Sequence, residues 1–315
     1  MTSTATTERG ARLLLRHPAH VPPVLLRRPD ELRSWSERCR AAGLEIGIVP
    51  TMGALHEGHL TLVRRALREC DRVVVSVFVN PAQFAPGDDL ERYPRRLDDD
   101  LHVLRQERVA AVFAPTAEAM YPPSATTRLS VGPPLTTRLE GEVRPGHFDG
   151  VALVVAKLLI AGRPDRAYFG IKDAQQLAVV RRLVADLDLG VEVVACPTVR
   201  DADGLALSSR NCYLAPADRR RALLLPAALA AAAADFARGE RRCAHLREAA
   251  LRVLASGEMP VDYVAIVHPN TFEELAEARE GCVLAGAGRI GDVRLIDALT
   301  LGVDAPPAVT GAVGK

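Results

Sequence analysis

Lysine is scarce in this 315-residue chain: of 40 Lys and Arg residues, only Lys157, Lys172 and Lys315 are lysine. Arginine serves wherever a plain positive charge is needed, so each lysine calls for a specific reason. Paired cysteines are missing as well. Cys39, Cys70, Cys196, Cys212, Cys243 and Cys282 are scattered without a Cys-x-x-Cys pair, which points to reduced thiols in a cytoplasmic protein and argues against a zinc site. Long apolar runs are lacking too. The longest, 222–236, is too short to span a bilayer and holds Pro226, and the opening MTSTATTERG is not followed by the hydrophobic segment of a secretory signal. Net charge is only +1, which argues against a nucleic-acid face or a polybasic membrane surface. There is no internal repeat and no G-x-x-x-x-G-K-[ST] phosphate loop.

What is present is an alternation of apolar runs and amphipathic segments. The length predicts two domains. Strands are expected at 44–49, 72–79, 109–115, 166–170 and 191–197, with helices at 60–70, 98–107, 150–160 and 173–187. Continuous apolar strands joined by helical crossovers predict an α/β, Rossmann-like doubly wound parallel sheet over 1–197. The Pro- and Thr-rich stretch 115–145 reads as one long loop. After Pro197 the pattern becomes two helices, 216–238 and 241–256, then strands near 261–268, 281–286 and 289–296, a smaller α+β lid domain over 198–315. Residues 1–20 and 303–315 have the composition of disordered tails. Lys157, inside GVALVVAKLLI, is expected to snorkel to water.

The string PTMGALHEGH at 50–59 lies between the first strand and a helix on which Leu60, Val63 and Leu67 recur on one face. Two imidazoles, His56 and His59, therefore fall at a helix N-terminus, where amide N–H groups and the helix dipole favour an anion. Gly53 and Gly58 permit close approach of a ligand to the backbone. His-x-Gly-His is also the spacing found in nucleotidylyl transferases that bind ATP. Lys172, in Gly170-Ile171-Lys172-Asp173, again joins a strand to a helix. A compact ammonium suits a phosphoryl oxygen where a planar guanidinium is bulkier.

Beyond PTMGALHEGH, the chain carries FVNPAQF at 78–84, RYP at 92–94, DDD at 98–100, RPGHF at 144–148, GIKDAQQ at 170–176 and DGLALSSRN at 203–211. On these strings it resembles the pantothenate synthetase (pantoate–β-alanine ligase) family. Ile171 stands where that family usually has glutamate, and residues before about 20 and after about 303 fall outside the resemblance. The resemblance implies a homodimeric, cytoplasmic enzyme that joins pantoate to β-alanine through pantoyl adenylate, consuming ATP with magnesium. By the same resemblance Met52, Gly53, Ala54, Leu55, His56, Glu57, Gly58 and His59 line the ATP site, with His59 the catalytic proton donor. Gly170, Ile171, Lys172, Asp173, Val199, Leu207, Ser208, Ser209 and Arg210 complete it, and His56, Lys172 and Arg210 supply donors or charge. The 207–210 segment corresponds to the KMSKS-type loop of related adenylate-forming enzymes, able to close over a triphosphate.

The resemblance also implies that Gln83 and Gln176 hold pantoate, Gln83 β-alanine as well, and Arg144 and His147, near a glycine, are candidate pantoate or phosphate contacts. Asp98, Asp99 and Asp100 read either as a solvated helix start or as groups approaching magnesium, and no metal ligand is assigned. Two other functions share parts of this pattern. Another His-x-Gly-His adenylyltransferase need not carry Gln83 together with Gln176, and a non-catalytic nucleotide-binding module would have lost a catalytic element.

Overall fold

The computed structural model describes residues 21–257 and 259–310. They form two compact units: residues up to 130 with 149–169 and 183–196, and residues 131–148, 170–182 and 197 onward. The second unit thus recruits two segments that lie N-terminal to the expected junction near 197. No helix among the described residues is long and apolar enough to cross a membrane.

The first unit is built on six strands. In chain order the elements before residue 197 begin with β1 (Val24–Leu26), α1 (Pro29–Ala41), β2 (Ile46–Thr51), α2 (Glu57–Glu69) and β3 (Arg72–Val77). There follow α3 (Leu97–Gln106), β4 (Ala111–Phe113), α4 (Ala117–Met120), α5 (Glu140–Val143), α6 (His147–Gly162), β5 (Arg166–Gly170), α7 (Ala174–Asp186) and β6 (Glu192–Cys196); of these α5 and the larger part of α7 fall in the second unit. The parallel sheet runs β1-β4-β3-β2-β5-β6, and Val49, Val73, Val75 and Val112 bury against Val63, Ala66 and Leu104 of α2 and α3. Strands buried on both faces are apolar without alternation, which makes them legible as continuous runs. The strand order reverses between β2 and β5, and open α/β sheets hold ligands outside the carboxyl ends of strands at such a point. β2 leads there into the His-x-Gly-His loop.

The second unit adds α8 (Pro216–Ala222), α9 (Leu224–Ala237), α10 (Cys243–Ser256), β7 (Val261–Val267), β8 (Val283–Ile290) and β9 (Val293–Thr300). β7-β8-β9 form an antiparallel sheet, whose Ile266, Leu284 and Leu299 join Leu225, Leu229 and Leu246 in one core.

Several expectations are corrected. The strand β1 and helix α1 were not foreseen. The helix expected over 216–238 is two helices, because Pro226 in the first turn of α9 would clash with the carbonyl of Ala222 if one helix continued. The expected strands at 281–286 and 289–296 run later and join through a two-residue turn, Ile290 opposite Val293. Gly286 and Gly288 lie inside β8, where a Cβ at Gly286 would come within 3.0 Å of Leu225 and one at Gly288 within 2.7 Å of the Pro260 carbonyl. The 115–145 loop contains the short helices α4 and α5. The Lys157 ammonium sits 5.8 Å from the centre of the Tyr121 ring. The expected C-terminal tail is packed as far as Thr310, with Val309 against the second core. Residues 1–20 and 311–315 lie outside the described residues, and with them the rest of the expected disorder.

Candidate active site

The His-x-Gly-His loop of the first unit is fastened by buried polar contacts. Gly53 and Ala54 both take left-handed conformations, φ 82° and 50°. The Thr51 hydroxyl donates to the Ser76 carbonyl at 2.6 Å and accepts from the Gly53 amide at 3.1 Å. The next two amides belong to Asp100. Ala54 N–H donates to one carboxylate oxygen at 3.0 Å and Leu55 N–H to the other at 2.8 Å. A Cβ on residue 53 would come within 2.9 Å of that carboxylate and 3.0 Å of Val77, so glycine is needed here for space as well as conformation.

Asp100 answers the question left open for the DDD string. Asp98 and Asp99 are exposed in the first turn of α3, whereas Asp100 points inward, 3% exposed. Burial pushes its carboxyl above the usual aspartate range, against the pull of the Leu55 and Ala54 amides. It fastens the loop, a role the sequence did not reveal.

The loop delivers two half-buried imidazoles to the start of α2, which begins at Glu57, three residues before the expected helix. His56 is the extended N-cap, and its amide donates weakly to His59 Nδ1 at 3.4 Å. The two ring centres are 4.0 Å apart. With the 53–55 amides engaged, helix geometry leaves those of Glu57 and Gly58 directed outward from the N-terminus. A phosphate seated there would meet amides, the helix dipole and both imidazoles.

Gln83 comes to the same loop. It is buried in a single 3-10 turn, Pro81–Gln83; its Nε2 lies 3.2 Å from Met52 Sδ and its Oε1 accepts from Asn80 Nδ2 at 3.0 Å. Asn80 also donates to the Gly150 carbonyl at 3.1 Å and accepts from the Tyr121 hydroxyl at 2.8 Å. Burial raises the Tyr121 phenol's pKa, keeping it a donor. A Cβ at Gly150 would collide with the Ala82 carbonyl at 2.1 Å. Asn80 is therefore the organiser of the turn, and the sequence marked only its neighbour. Beside Met52, Gly53 and Phe78 opens a cavity of about 340 Å³ with Arg27 and Arg96 in its wall. Apolar walls with convergent arginines suit a small organic acid.

The remaining candidates belong to the second unit. Ile171–Asp173 form one 3-10 turn directly after β5, packed against β9. Lys172 is only 18% exposed, its ammonium 3.9 Å from the Asp173 carboxylate. Gln176 is half-buried, while its neighbour Gln175 is structural, donating to the Leu135 and Arg138 carbonyls at 2.8 and 2.9 Å and accepting from the Glu140 amide at 3.1 Å. Glu140 in turn accepts from Arg294 at 2.8 Å and from the Tyr263 hydroxyl at 2.8 Å. These bonds fix the segment carrying Arg144 and His147, which contact each other at 3.3 Å.

Val199 and Leu207 face each other across a small hairpin, the Leu207 amide donating to the Val199 carbonyl at 2.9 Å. Ser208 caps the following 3-10 turn, Ser209–Tyr213, which holds Arg210. Among the described residues no group of three or more His, Cys, Asp and Glu side chains is arranged to hold a metal.

Known proteins resemble this chain along nearly its whole described length. The family model for pantoate-beta-alanine ligase matches residues 24–300. A pantothenate synthetase from Rubrobacter xylanophilus is 51% identical over 88% of this chain and 98% of its own, and one from Thermotoga neapolitana is 48% identical over 87% and 98%. Among solved structures, pantothenate synthetase from Thermus thermophilus superposes with a TM-score of 0.83 at 49% identity, covering 88% of this chain and 99% of that one. Pantoate-beta-alanine ligase from Francisella tularensis, described as complexed with beta-gamma ATP and beta-alanine, does so with 0.73 at 31%, covering 90% and 99%.

Proposed function

Because this chain belongs to the pantoate–β-alanine ligase family, its reaction is the ATP-dependent joining of pantoate to β-alanine, and we propose how its residues divide that work. A pantoate carboxylate oxygen attacks the α-phosphorus of ATP, the bond to the bridging oxygen breaks, and pyrophosphate departs. The amine of β-alanine then attacks the acyl carbon of pantoyl adenylate, expelling AMP and losing a proton to give pantothenate.

Two anions must meet in the first step, so positioning and charge neutralisation carry the catalysis. The observation that supports this assignment best is the pair His56 and His59 on a loop fastened by Asp100 and Thr51 at the N-terminus of α2. A loop so held presents its donors without reorganising. His59 donates a proton or hydrogen bond to the departing phosphate, His56 flanks it, and Lys172 and Arg210 neutralise phosphate charge. Asp173 accepts from the ribose hydroxyls. Ser208 and Ser209, with Val199 and Leu207, border the nucleotide. Gln83 and Gln176 hold pantoate, because a neutral amide orients a carboxylate without quenching it as a nucleophile. Arg144 and His147 assist there.

Magnesium travels on the ATP phosphates. Such an ion keeps several waters and needs no all-protein cage. The active species is a cytoplasmic homodimer, and light scattering showing a monomer at micromolar concentration would remove that part. Turnover of ATP, pantoate and β-alanine with release of AMP, absent when any one is omitted, tests the activity.

A further inference from the structure

Residues 305–310 lie beyond the family match, which ends at 300, yet they are packed. Asp304 anchors their start, its carboxylate accepting from the Thr300 amide at 2.6 Å. Pro307 is buried and Val309 packs against the core that includes Leu205. At the far end the Thr310 amide donates to the Asp203 carbonyl at 3.3 Å and its hydroxyl to the Ala202 carbonyl at 3.2 Å.

What this segment covers is the tip of the hairpin that runs into the Ser208-Ser209-Arg210 loop. At that tip Gly204 has φ +97°, and a Cβ there would lie 2.7 Å from the Ala308 carbonyl oxygen and 3.1 Å from Val309 Cα. Backbone therefore rests directly on backbone. The hairpin closes through Asp201 N–H to the Leu205 carbonyl at 2.8 Å and Leu207 N–H to the Val199 carbonyl at 2.9 Å. Its base is tied to β9 by Arg200, which donates to both oxygens of Asp297 at 2.6 and 2.9 Å. Its tip is tied to α8 by Arg219, which donates to Asp201 at 2.6 Å and to Asp203 at 3.0 Å. The strand leaving the hairpin is linked onward, the Asn211 side-chain amide donating to the Ala206 carbonyl at 3.0 Å.

We propose that residues 305–310 are a strap that holds this hairpin in its nucleotide-binding conformation, making Gly204, Val309 and Thr310 positioning residues for ATP. The inference rests on the assignment of Val199, Leu207 and the following serines to the nucleotide. Without the strap the hairpin tip keeps Arg219 but loses its covering backbone, and its order must be regained when ATP binds.

Two variants test this: truncation after Asp304, and Thr310→Pro, which removes the amide donor and the hydroxyl while leaving Val309 in place. The expected result is a roughly fivefold to tenfold rise in the ATP KM, the effect of about one residue's backbone freedom surrendered at binding. Pantoate KM should stay within about twofold, and amide hydrogen exchange at 201–207 should quicken in the ATP-free protein. A role confined to stability would lower the active fraction, and so kcat, while leaving ATP KM unchanged. If truncation prevents folding, Thr310→Pro decides alone. An ATP KM within twofold of wild type, with unaltered exchange at 201–207, overturns the strap. Wild-type turnover in the same assay tests the activity itself, so the two failures are distinguishable.

Discussion

Replacing Asp100 by alanine should damage both the fold and the adenylation step, and the structure sets the size of each effect. The change leaves the Ala54 and Leu55 amides without their buried acceptor. Each unsatisfied donor costs about 1–3 kcal/mol. Removing a carboxylate that burial already makes costly offsets part of this, so a net loss of about 2–4 kcal/mol is expected. In a protein of this size that corresponds to a fall in Tm on the order of 3–6 °C. The loop would also relax, because a left-handed alanine costs about 1–2 kcal/mol and Ala54, at φ 50°, is held there by the bond to Asp100. His56 and His59 ride on that loop, and displacement of catalytic groups by about 1 Å is worth ~10² in rate. ATP–pyrophosphate exchange in the presence of pantoate should fall by about that factor, even at temperatures where the variant is folded. Asp100→Asn separates charge from hydrogen bonding: one oxygen still accepts while its NH₂ faces the other donor, so its losses should be intermediate. Wild-type exchange in folded Asp100→Ala, with Tm within about 2 °C of the parent, would refute the account.

His59→Ala should lower adenylation by ~10²–10³, the usual worth of one charge-stabilising donor, with the fold preserved because the side chain is only half-buried; undiminished pyrophosphate exchange would remove its role. Lys172→Arg should slow single-turnover adenylate formation by at least about tenfold, ~1.4 kcal/mol, since the planar fork does not reproduce an ammonium at close quarters, and a wild-type rate would show that charge alone suffices. Glu140→Gln should flatten the acid limb of stability. Burial raises the Glu140 pKa, but the hydrogen bonds and charge of Arg294, with the Tyr263 hydroxyl, bring it below the usual glutamate value. Its contribution is therefore present above the unfolded pKa near ~4.3 and fades as pH falls through the lower folded value. Equal slopes of denaturation midpoint against pH in the two proteins would contradict this.

The parts of the fold legible in the sequence are those whose signal is local. β5 is read at its observed bounds and β3 to within two residues, because apolar runs bounded by breakers need no partner to be seen. β1 is not, since three residues carry no periodicity and its strand character comes from pairing with β4, Val24 opposite Ala111. β8 is read only as far as Gly286, short of its end at Ile290, because a glycine in a strand interior weakens the signal until the atoms lying over it are known.

The site divides along the same line. Residues proposed to face a ligand carry rare chemistry in a fixed spacing, as His56 and His59 do, and are nameable at once. Residues that hold those groups in place carry common chemistry and act over long separations. Asp100 reaches amides 45 and 46 positions away, Arg294 reaches Glu140 across 154, and Arg200 reaches Asp297 across 97. In the string DDD the three carboxylates are locally equivalent. Only tertiary approach separates the inward one from its solvated neighbours, and that approach is fixed by the turn of α3, which directs every third or fourth residue to the same face. In both units, then, the residues proposed to face a ligand sit on segments held by buried bonds from aspartate, glutamate, asparagine or glutamine to backbone or arginine. Substituting one of these fasteners should move the pieces it holds, whereas substituting a ligand-facing residue removes a single donor, so the two classes separate by whether stability falls together with rate.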